Sequence, residues 1–387
     1  MAGIIVAPKL SVLELIVMCS AVILLAIKKP NISFPYRWFS YLLLIFIVWL
    51  GVTSSWTIMP EGIAQKFLRL ALLFIGGGFI TIGFSVLRKV NRAEIKIGFV
   101  VGFLLGVGVI CFATAYALIT NSSLWGSYYF EPLSTLNNNA VVIALFSWAV
   151  LIIVANYSIK YAAMGFVIVL GILLSLPSLA ATGALLIGAL VLLSRKIGGR
   201  SVGVLFAAVA ALLIVLAPNV IKISGATTYA SPEGQWATSS IPPSARHRLA
   251  MWSFATEKID EKPWLGWGFG ASRHIPQEDR RLAPNMEIMP LHPHNLALQT
   301  RLELGLPGSL ILAGLVFSVF YRLATFTNDG WVSGLAMAPA AGWLFVANVS
   351  YGMWQSWWIA LAFLLAIFMK FALASRQRSV ESPNTDL

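Results

Sequence analysis

Long apolar segments alternate with short polar connections along the chain. Segments of roughly 17 or more apolar residues are long enough to cross a bilayer as helices. Only helices and closed barrels satisfy every backbone hydrogen bond in lipid, and continuous apolar runs favour helices over strands of alternating polarity. The pattern predicts an all-α polytopic membrane protein with about 11–12 transmembrane helices. The segments lie near residues 10–27, 38–54, 67–87, 97–119, 139–156, 161–177, 179–195, 201–217, 306–322, 333–349 and 356–374.

The composition agrees with this fold class. Hydrophobic residues make up 58% of the 387 residues and charged residues only 11%, whereas a typical soluble domain has about 25% charged residues. An ordinary soluble fold is therefore excluded. The two cysteines, Cys19 and Cys111, both lie inside apolar segments, so neither a disulfide framework nor a cysteine-based zinc site is expected.

The placement of Lys and Arg predicts the orientation in the membrane. Cytoplasmic connections are enriched in these residues. Alternate connections of this chain carry them, whereas residues 121–139, residues 175–178 and the connection near residue 350 carry none. The C-terminus is therefore expected in the cytoplasm and the N-terminus outside. The cation-bearing set comprises Lys28, Lys29, Arg37, Arg88, Lys89, Arg92, Lys96, Lys160, Arg195, Lys196, Arg200, Arg322, Lys370, Arg376 and Arg378.

One connection, residues 218–305, is far longer than the others and is polar with mixed charge. Connections of this length are usually functional or disordered. We expect residues 1–217 to form transmembrane helices 1–8, residues 218–305 a periplasmic loop carrying the active site, residues 306–375 the C-terminal transmembrane helices, and residues 376–387 a cytoplasmic tail. The net charge of +12 then follows from the orientation of the connections, and nucleic acid is not expected as a partner.

The long loop contains recognisable local structure. Residues 244–259 place Leu249, Trp252, Ala255 and Ile259 at helical spacing, which predicts an amphipathic helix at the membrane surface. Residues 263–270 read PWLGWGFG, a turn region punctuated by glycine. A last helix is predicted to begin between His292 and Asn295 and to run towards the ninth apolar segment, with a proline in its first turn.

Candidate chemical groups are concentrated in the same loop. It holds all four histidines of the chain, at positions 247, 274, 292 and 294. They are either surface histidines in the largest polar region or members of a site. Arg248, with Arg246 nearby, would suit a bidentate contact with a pyrophosphate, or would extend towards lipid headgroups.

The segment HPHNLALQTRLELGLPG, residues 292–308, is the sharpest feature. Helical spacing places Asn295, Gln299 and Glu303 on one face and His294, Leu298 and Arg301 on another. A histidine in the first turn is held neutral by the helix dipole, beside a position that favours phosphate, as a general base requires. The alternatives are a helix cap with an interfacial histidine, or metal binding by His292 and His294 in an extended segment.

Taken together, these features resemble the O-antigen ligase and O-antigen polymerase family of bacterial membrane glycosyltransferases. The resemblance is most specific over residues 244–322, and the middle-span entry LNNNAVV at residues 136–142 also fits the family. The residues that carry it are Arg248 and Trp252, the turn Pro263, Gly266, Gly268 and Gly270, and then His292, His294, Asn295, Glu303, Gly305 and Gly308.

The resemblance implies a glycan donor on undecaprenyl pyrophosphate and a sugar hydroxyl as acceptor. The acceptor would be lipid A core for a ligase, which we favour, or another lipid-linked repeat unit for an O-antigen or exopolysaccharide polymerase. The enzyme would work at the periplasmic face of the bacterial inner membrane, among membrane lipids, without a metal or other cofactor. A transporter of lipid-linked glycans is the alternative from another class.

The family's functional residues carry over onto matching positions. His294 becomes the candidate base, with His292 as its alternative, and Glu303 would orient the helix or a histidine. Arg248 would hold the pyrophosphate, and Arg246 or Arg301 would assist. Asn295 and Trp252 complete the expected substrate-binding set.

Overall fold

The computed structural model is an all-α protein, as the sequence predicts. It describes residues 1–28, 37–59, 61–83, 92–122, 136–225, 243–277, 281–283 and 286–381. Most of the predicted connection at 121–139, the cations Lys29, Arg88 and Lys89, and the tail beyond residue 381 lie outside these ranges. The helices are α1 Ala2–Val6, α2 Ser11–Lys28, α3 Arg37–Thr53, α4 Ile63–Gly83, α5 Arg92–Thr120, α6 Asn137–Ala155, α7 Ile159–Leu174, α8 Leu179–Ile223, α9 Pro243–Glu261, α10 Leu296–Thr325, α11 Gly330–Val349 and α12 Ser356–Glu381.

Eight helices in the described part of the chain are long and apolar enough to cross a membrane, which makes this a multi-pass membrane protein. One of them, α8, is broken at Gly199, where φ is 62° and ψ is −158°. Its two parts, residues 179–198 and 200–223, match two separate predicted segments. Each of the other nine predicted segments overlaps one helix, and the shortest of these is the 16-residue α7.

The helix α6 forms the centre of the bundle. Every residue from Asn139 to Ile153 is buried, and a helix that is apolar on all sides is stable only when other helices surround it. Around it pack α7, α8, α11 and α12. The N-terminal α1 also docks on α6, because the side chain of Asn139 donates hydrogen bonds to the carbonyl oxygens of Ile5 and Val6 at 2.6 and 3.0 Å.

A second break, at Gly305, divides α10 into residues 296–304 and 306–325; φ there is 67° and ψ is −163°. The break leaves carbonyl oxygens at the end of the first part without helical partners. Residues 263–270, the glycine turn, supply donors for these oxygens. Trp267 N lies 2.9 Å from Leu302 O, and Gly268 N lies 2.9 Å from Glu303 O. Trp49 Nε1 of α3 donates to Leu304 O at 3.0 Å. The predicted last helix is therefore two helices joined by a capped turn.

The predicted loop helix is confirmed as α9, but its apolar face packs on protein. Phe254 and Ile259 are buried in a cluster that includes Leu298 and Leu302 of α10, and Ile221 of α8 packs against it. The remainder of the loop contains a 3-10 turn, Ala271–His274, and a short antiparallel ladder of Arg281–Ala283 with Met286–Glu287. Of these elements, α9 contacts the segment 292–295, through a hydrogen bond from Trp252 Nε1 to Pro293 O.

Candidate functional site

Residues 292–295, here called the histidine segment, lie just before α10 rather than within it. Asn295 is the N-cap, with an extended backbone, and its Oδ1 accepts a hydrogen bond from Leu298 N at 2.9 Å. His294 has a positive φ of 52°, a conformation that costs energy in a residue other than glycine and often marks functional sites. The expectations that Pro293 and His294 occupy the first turn, and that His294 shares a helical face with Leu298 and Arg301, were wrong, because Asn295 caps the helix.

The ring of His294 is held by a backbone carbonyl. Its Nδ1 lies 2.5 Å from Ser350 O, in the connection between α11 and α12. A carbonyl oxygen only accepts, so Nδ1 carries the proton and the neutral ring presents Nε2 as an acceptor. Burial lowers the pKa of His294 below its ordinary 6.5, and the nearby charges of Arg248 and His247 lower it further, while the Ser350 carbonyl opposes this. The neutral form is therefore favoured.

The ring of His292 packs beside that of His294, with 4.2 Å between the ring centroids. Its Nδ1 accepts a hydrogen bond from the backbone N–H of His294 at 3.2 Å. The ring lies so close to Gly352 that a Cβ there would come within 2.5 Å of His292 Nε2. Burial lowers the pKa of His292 to about 3, with smaller contributions from His294 and Lys66. This imidazole is neutral at physiological pH.

The structure brings Arg248 to the histidines. Its guanidinium lowers the pKa of both His294 and His247, and burial lowers its own pKa, against a smaller opposing contribution from Tyr351. His247, the preceding residue, has its Nε2 3.3 Å from Ile288 O. Among the described residues, no carboxylate contributes to the pKa of Arg248, His292 or His294. The result is a half-buried cationic patch that includes neutral imidazoles.

The helix α9 also positions the backbone between the two histidines. Trp252 Nε1 donates to Pro293 O at 2.8 Å. Since Trp252 lies one turn after Arg248 on α9, a single helix carries both the guanidinium and the indole that holds the histidine segment. In this structure Trp252 contacts the site's own backbone.

Glu303 lies in a separate network. The residue is fully buried, and its Oε2 accepts from Gly270 N and Trp354 Nε1, each at 2.6 Å. Its Oε1 accepts from Ser272 Oγ at 2.5 Å and Gln299 Nε2 at 3.0 Å. The predicted shared face of Gln299 and Glu303 is confirmed. The four donors come from the glycine turn, the 3-10 turn, α10 and the connection between α11 and α12. Glu303 therefore ties these segments together, and none of its recorded contacts is a histidine.

The other predicted arginines lie elsewhere. Arg246 is two residues from Arg248 on α9, so the two side chains point about 200° apart. Arg301, half-buried on the first part of α10, has Nε and Nη1 buried without a hydrogen-bond partner among the described residues. It is not among the charges that lower the pKa of His292 or His294.

Two parts of the candidate site were not predicted from the sequence. The connection between α11 and α12 supplies Ser350, Tyr351 and Gly352, and the Tyr351 hydroxyl donates to Asn138 Oδ1 of α6 at 2.8 Å. Lys66 in the first turn of α4 lies over the Phe269 ring, 5.2 Å from its centroid, and its charge reaches His292. The only sequence signals were an isolated lysine at the start of an apolar segment and a polar connection at residue 350.

A metal site receives no geometric support in the described ranges. They contain no group of three or more His, Cys, Asp or Glu residues placed to hold an ion. The nitrogen atoms His292 Nδ1 and His294 Nδ1 are both engaged with the backbone.

Comparison with known proteins relates this chain to polysaccharide ligases. Residues 163–313 match a family model described as O-antigen ligase. A protein of Rickettsia felis named "Putative polysaccharide ligase" is 24% identical over 362 residues, which cover 90% of this chain and 84% of that protein. A protein of the same name from Rickettsia bellii is 26% identical over 337 residues, 84% of this chain and 78% of that protein. A Rickettsia prowazekii relative is 32% identical over 132 residues, 33% of this chain and 32% of its own. No solved structure matches.

Proposed function

We propose that the chain is an enzyme of the O-antigen ligase type, which transfers a glycan from undecaprenyl pyrophosphate to a sugar hydroxyl of lipid A core. The match of residues 163–313 to the O-antigen ligase model and the similarity to the Rickettsia proteins support this proposal. The reaction takes place at the periplasmic face of the bacterial inner membrane and needs no metal. The observation that carries this proposal is a neutral imidazole, held at Nδ1 by Ser350 O so that Nε2 is the acceptor, near a guanidinium beside which the described residues place no carboxylate.

His294 is the base in this proposal. Its Nδ1–H is fixed by Ser350 O, so the sugar hydroxyl donates its proton to Nε2 as its oxygen attacks the anomeric carbon. His292 is less suited, because its Nδ1 accepts from His294 N, and the neutral ring then carries its proton on Nε2. The lowered pKa of His294 means that the imidazolium readily gives up the proton it takes.

Arg248 stabilises the leaving group. As the new glycosidic bond forms, the bond between the anomeric carbon and the pyrophosphate oxygen breaks, and both electrons stay with the pyrophosphate. In this proposal Arg248 binds the developing negative charge with two parallel N–H donors, and its half-buried position strengthens the charge interaction. Lys66 adds a second cation on the side of His292. The proton held by His294 then passes to the released polyprenyl pyrophosphate or to water.

We expect His294→Ala and Arg248→Ala each to abolish transfer while the protein still folds and inserts. Loss of a general base costs roughly 10²–10⁴ in rate, and loss of a preorganised charge donor costs about 10²–10³. The measurement is product formation by purified protein from a polyprenyl-pyrophosphate glycan and lipid A core.

Matched controls lie in the same loop. His274→Ala and Arg273→Ala remove exposed residues of the 3-10 turn and are expected to keep parental activity. If the His294→Ala protein transfers glycan as fast as the His274→Ala protein, the assigned base is wrong.

The same assay, with its components varied, distinguishes lipid A core from a lipid-linked repeat unit as the acceptor. A ligase forms product only when lipid A core is present, whereas a polymerase lengthens the glycan when the lipid-linked donor is supplied alone. Movement of the lipid-linked glycan from one leaflet to the other, without formation of a new glycosidic bond, would instead indicate a transporter. If both alanine variants retained this movement, the proposal would be overturned.

A further inference from the structure

The connection between α11 and α12, residues 350–355, lies against both histidines of the candidate site. Ser350 O faces Nδ1 of His294, and Gly352 packs against the ring of His292. In a neutral imidazole, the hydrogen bond made by one nitrogen determines which nitrogen carries the proton. The groups that fix this connection therefore also determine which nitrogen of His294 is left to accept.

The first part of α10 holds the connection through a buried amide. Gln299 is only 3% exposed. Its Oε1 accepts from Met353 N at 2.8 Å, and its Nε2 donates to Glu303 Oε1 at 3.0 Å. One turn further along α10, Glu303 Oε2 accepts from Trp354 Nε1 at 2.6 Å. Two residues on one face of α10 thus hold two consecutive residues of the connection.

The other end of the connection is also attached to α10. Asn348 Oδ1, near the end of α11, accepts from Ala297 N at 3.2 Å. Ser350 lies between these two attachments, which gives its carbonyl group a defined direction. In the described part of the chain, Gln299 is the one side chain recorded as bonded to the backbone of residues 351–355. Its amide is therefore the main constraint on the backbone that follows Ser350.

We propose that Gln299 is a positioning residue for the base: by fixing Met353, it keeps Ser350 O on Nδ1 of His294, so that Nε2 remains the acceptor. The inference rests on the proposed function, because that function makes His294 the base. None of the recorded hydrogen bonds of Gln299 is to a histidine. A small displacement of a catalytic group costs up to about 10²-fold in rate. Loss of the amide should therefore lower kcat and leave KM unchanged.

Gln299→Glu tests this role with almost no change of shape. When its carboxyl group is protonated, it accepts from Met353 N and donates to Glu303, the two bonds of the native amide. When it ionises, the donor is lost and two buried carboxylates repel each other. On the side of α4, the charged group facing this network is Lys66, whose Nζ would lie 2.9 Å from a Cβ on Gly270. The variant therefore switches the positioning contact off as the pH rises.

We expect the kcat of Gln299→Glu, relative to the parent, to fall roughly 10–100-fold between about pH 6 and about pH 9, the range in which a buried carboxyl group titrates. Gln277→Glu is the matched control. Gln277 Oε1 also accepts from a backbone N–H, that of Met289 at 2.9 Å, and its Nε2 lies 3.3 Å from Glu287 Oε2. None of its recorded bonds reaches residues 350–355, so this variant should follow the parent at every pH.

The tautomer of His294 is measured by solid-state NMR of the protein in liposomes, with isotope-labelled histidine and the His294→Ala protein to identify the signals. The parent is expected to carry the proton on Nδ1. Gln299→Glu should match it at about pH 6 and show an Nε2–H form at about pH 9, whereas Gln299→Leu, which makes neither bond, should show that form at both. An Nδ1–H form retained in both variants would overturn the proposal, as would a Gln277→Glu protein that behaves like Gln299→Glu.

The NMR measurement involves no substrate, so it is independent of the proposed reaction. If the parent forms no product, or if His294→Ala keeps full activity, the proposed function fails, and the tautomer still shows whether Gln299 orients the ring. If transfer depends on His294 but Gln299→Glu follows the parent at every pH, the positioning role alone fails.

Discussion

Two neighbouring histidines take opposite hydrogen-bonding roles. His294 donates from Nδ1 to Ser350 O, whereas His292 accepts at Nδ1 from the backbone of His294. One neutral ring therefore offers an acceptor nitrogen and the other an N–H. The sequence could place both residues in one loop, but it could not assign these roles, because Ser350 is 56 positions away from His294 along the chain.

The buried state of His292 predicts a particular pH dependence of stability. Its pKa is about 3 in the folded protein against an ordinary 6.5. Between these values the unfolded chain binds a proton that the folded chain does not, so stability falls as the pH decreases from 6.5 towards about 3. We expect His292→Asn, which keeps an acceptor near the Nδ1 position and removes the titration, to show a shallower fall in thermal stability over this range.

The check is the Tm of detergent-solubilised protein as a function of pH. His274→Asn, at an exposed histidine of the same loop, serves as the control and should follow the parent. Parallel curves for His292→Asn and the parent would show that the buried imidazole does not cause the acid sensitivity.

At the scale of elements, glycines with positive φ join the loop to the bundle. Gly266 and Gly305 approach each other so closely that a Cβ on Gly266 would lie 2.7 Å from Gly305 N. The sequence predicted the glycine turn, the loop helix and the pairing of Gln299 with Glu303, all of which depend on local spacing. It did not predict that the turn caps a break in α10, since the hydrogen bonds from Trp267 N to Leu302 O and from Gly268 N to Glu303 O each join residues 35 positions apart.

Gly305→Ala tests this junction. Its Cβ would lie 2.1 Å from Trp264 O, and the strained backbone alone costs on the order of 1–3 kcal/mol. We expect a large fall in Tm together with loss of transfer, because the glycine turn also holds Glu303 through Gly270.

Gly199→Ala is the matched control for backbone strain. Gly199 has a similar φ of 62°, but a Cβ there meets nothing within 4 Å. It should therefore lose less stability than Gly305→Ala and keep its activity per folded molecule. Equal losses in the two proteins would mean that strain, rather than contact with the turn, determines the effect.

At the scale of the whole molecule, charge is divided between the two ends of the bundle. The end with the break in α8 carries Arg195, Lys196 and Arg200, and Arg195 Nη2 donates to Ala324 O at the same end of α10. At the other end, which holds the histidine segment, the short connections 175–178 and 350–355 contain no Lys or Arg. The rule that cytoplasmic connections are basic therefore predicts that the histidine end faces the periplasm.

Cysteine labelling can test this orientation. In a Cys19→Ser, Cys111→Ser background, Trp264→Cys replaces a 69% exposed residue at the histidine end and Tyr157→Cys an 82% exposed residue at the basic end. A membrane-impermeant maleimide added to intact spheroplasts should label the Trp264→Cys protein alone, and both proteins should label after permeabilisation. In the proposed reaction, the lipid-linked donor and its acceptor meet the imidazole in one compartment. The reverse labelling pattern would place His294 and Arg248 on the cytoplasmic side and contradict the proposed periplasmic transfer.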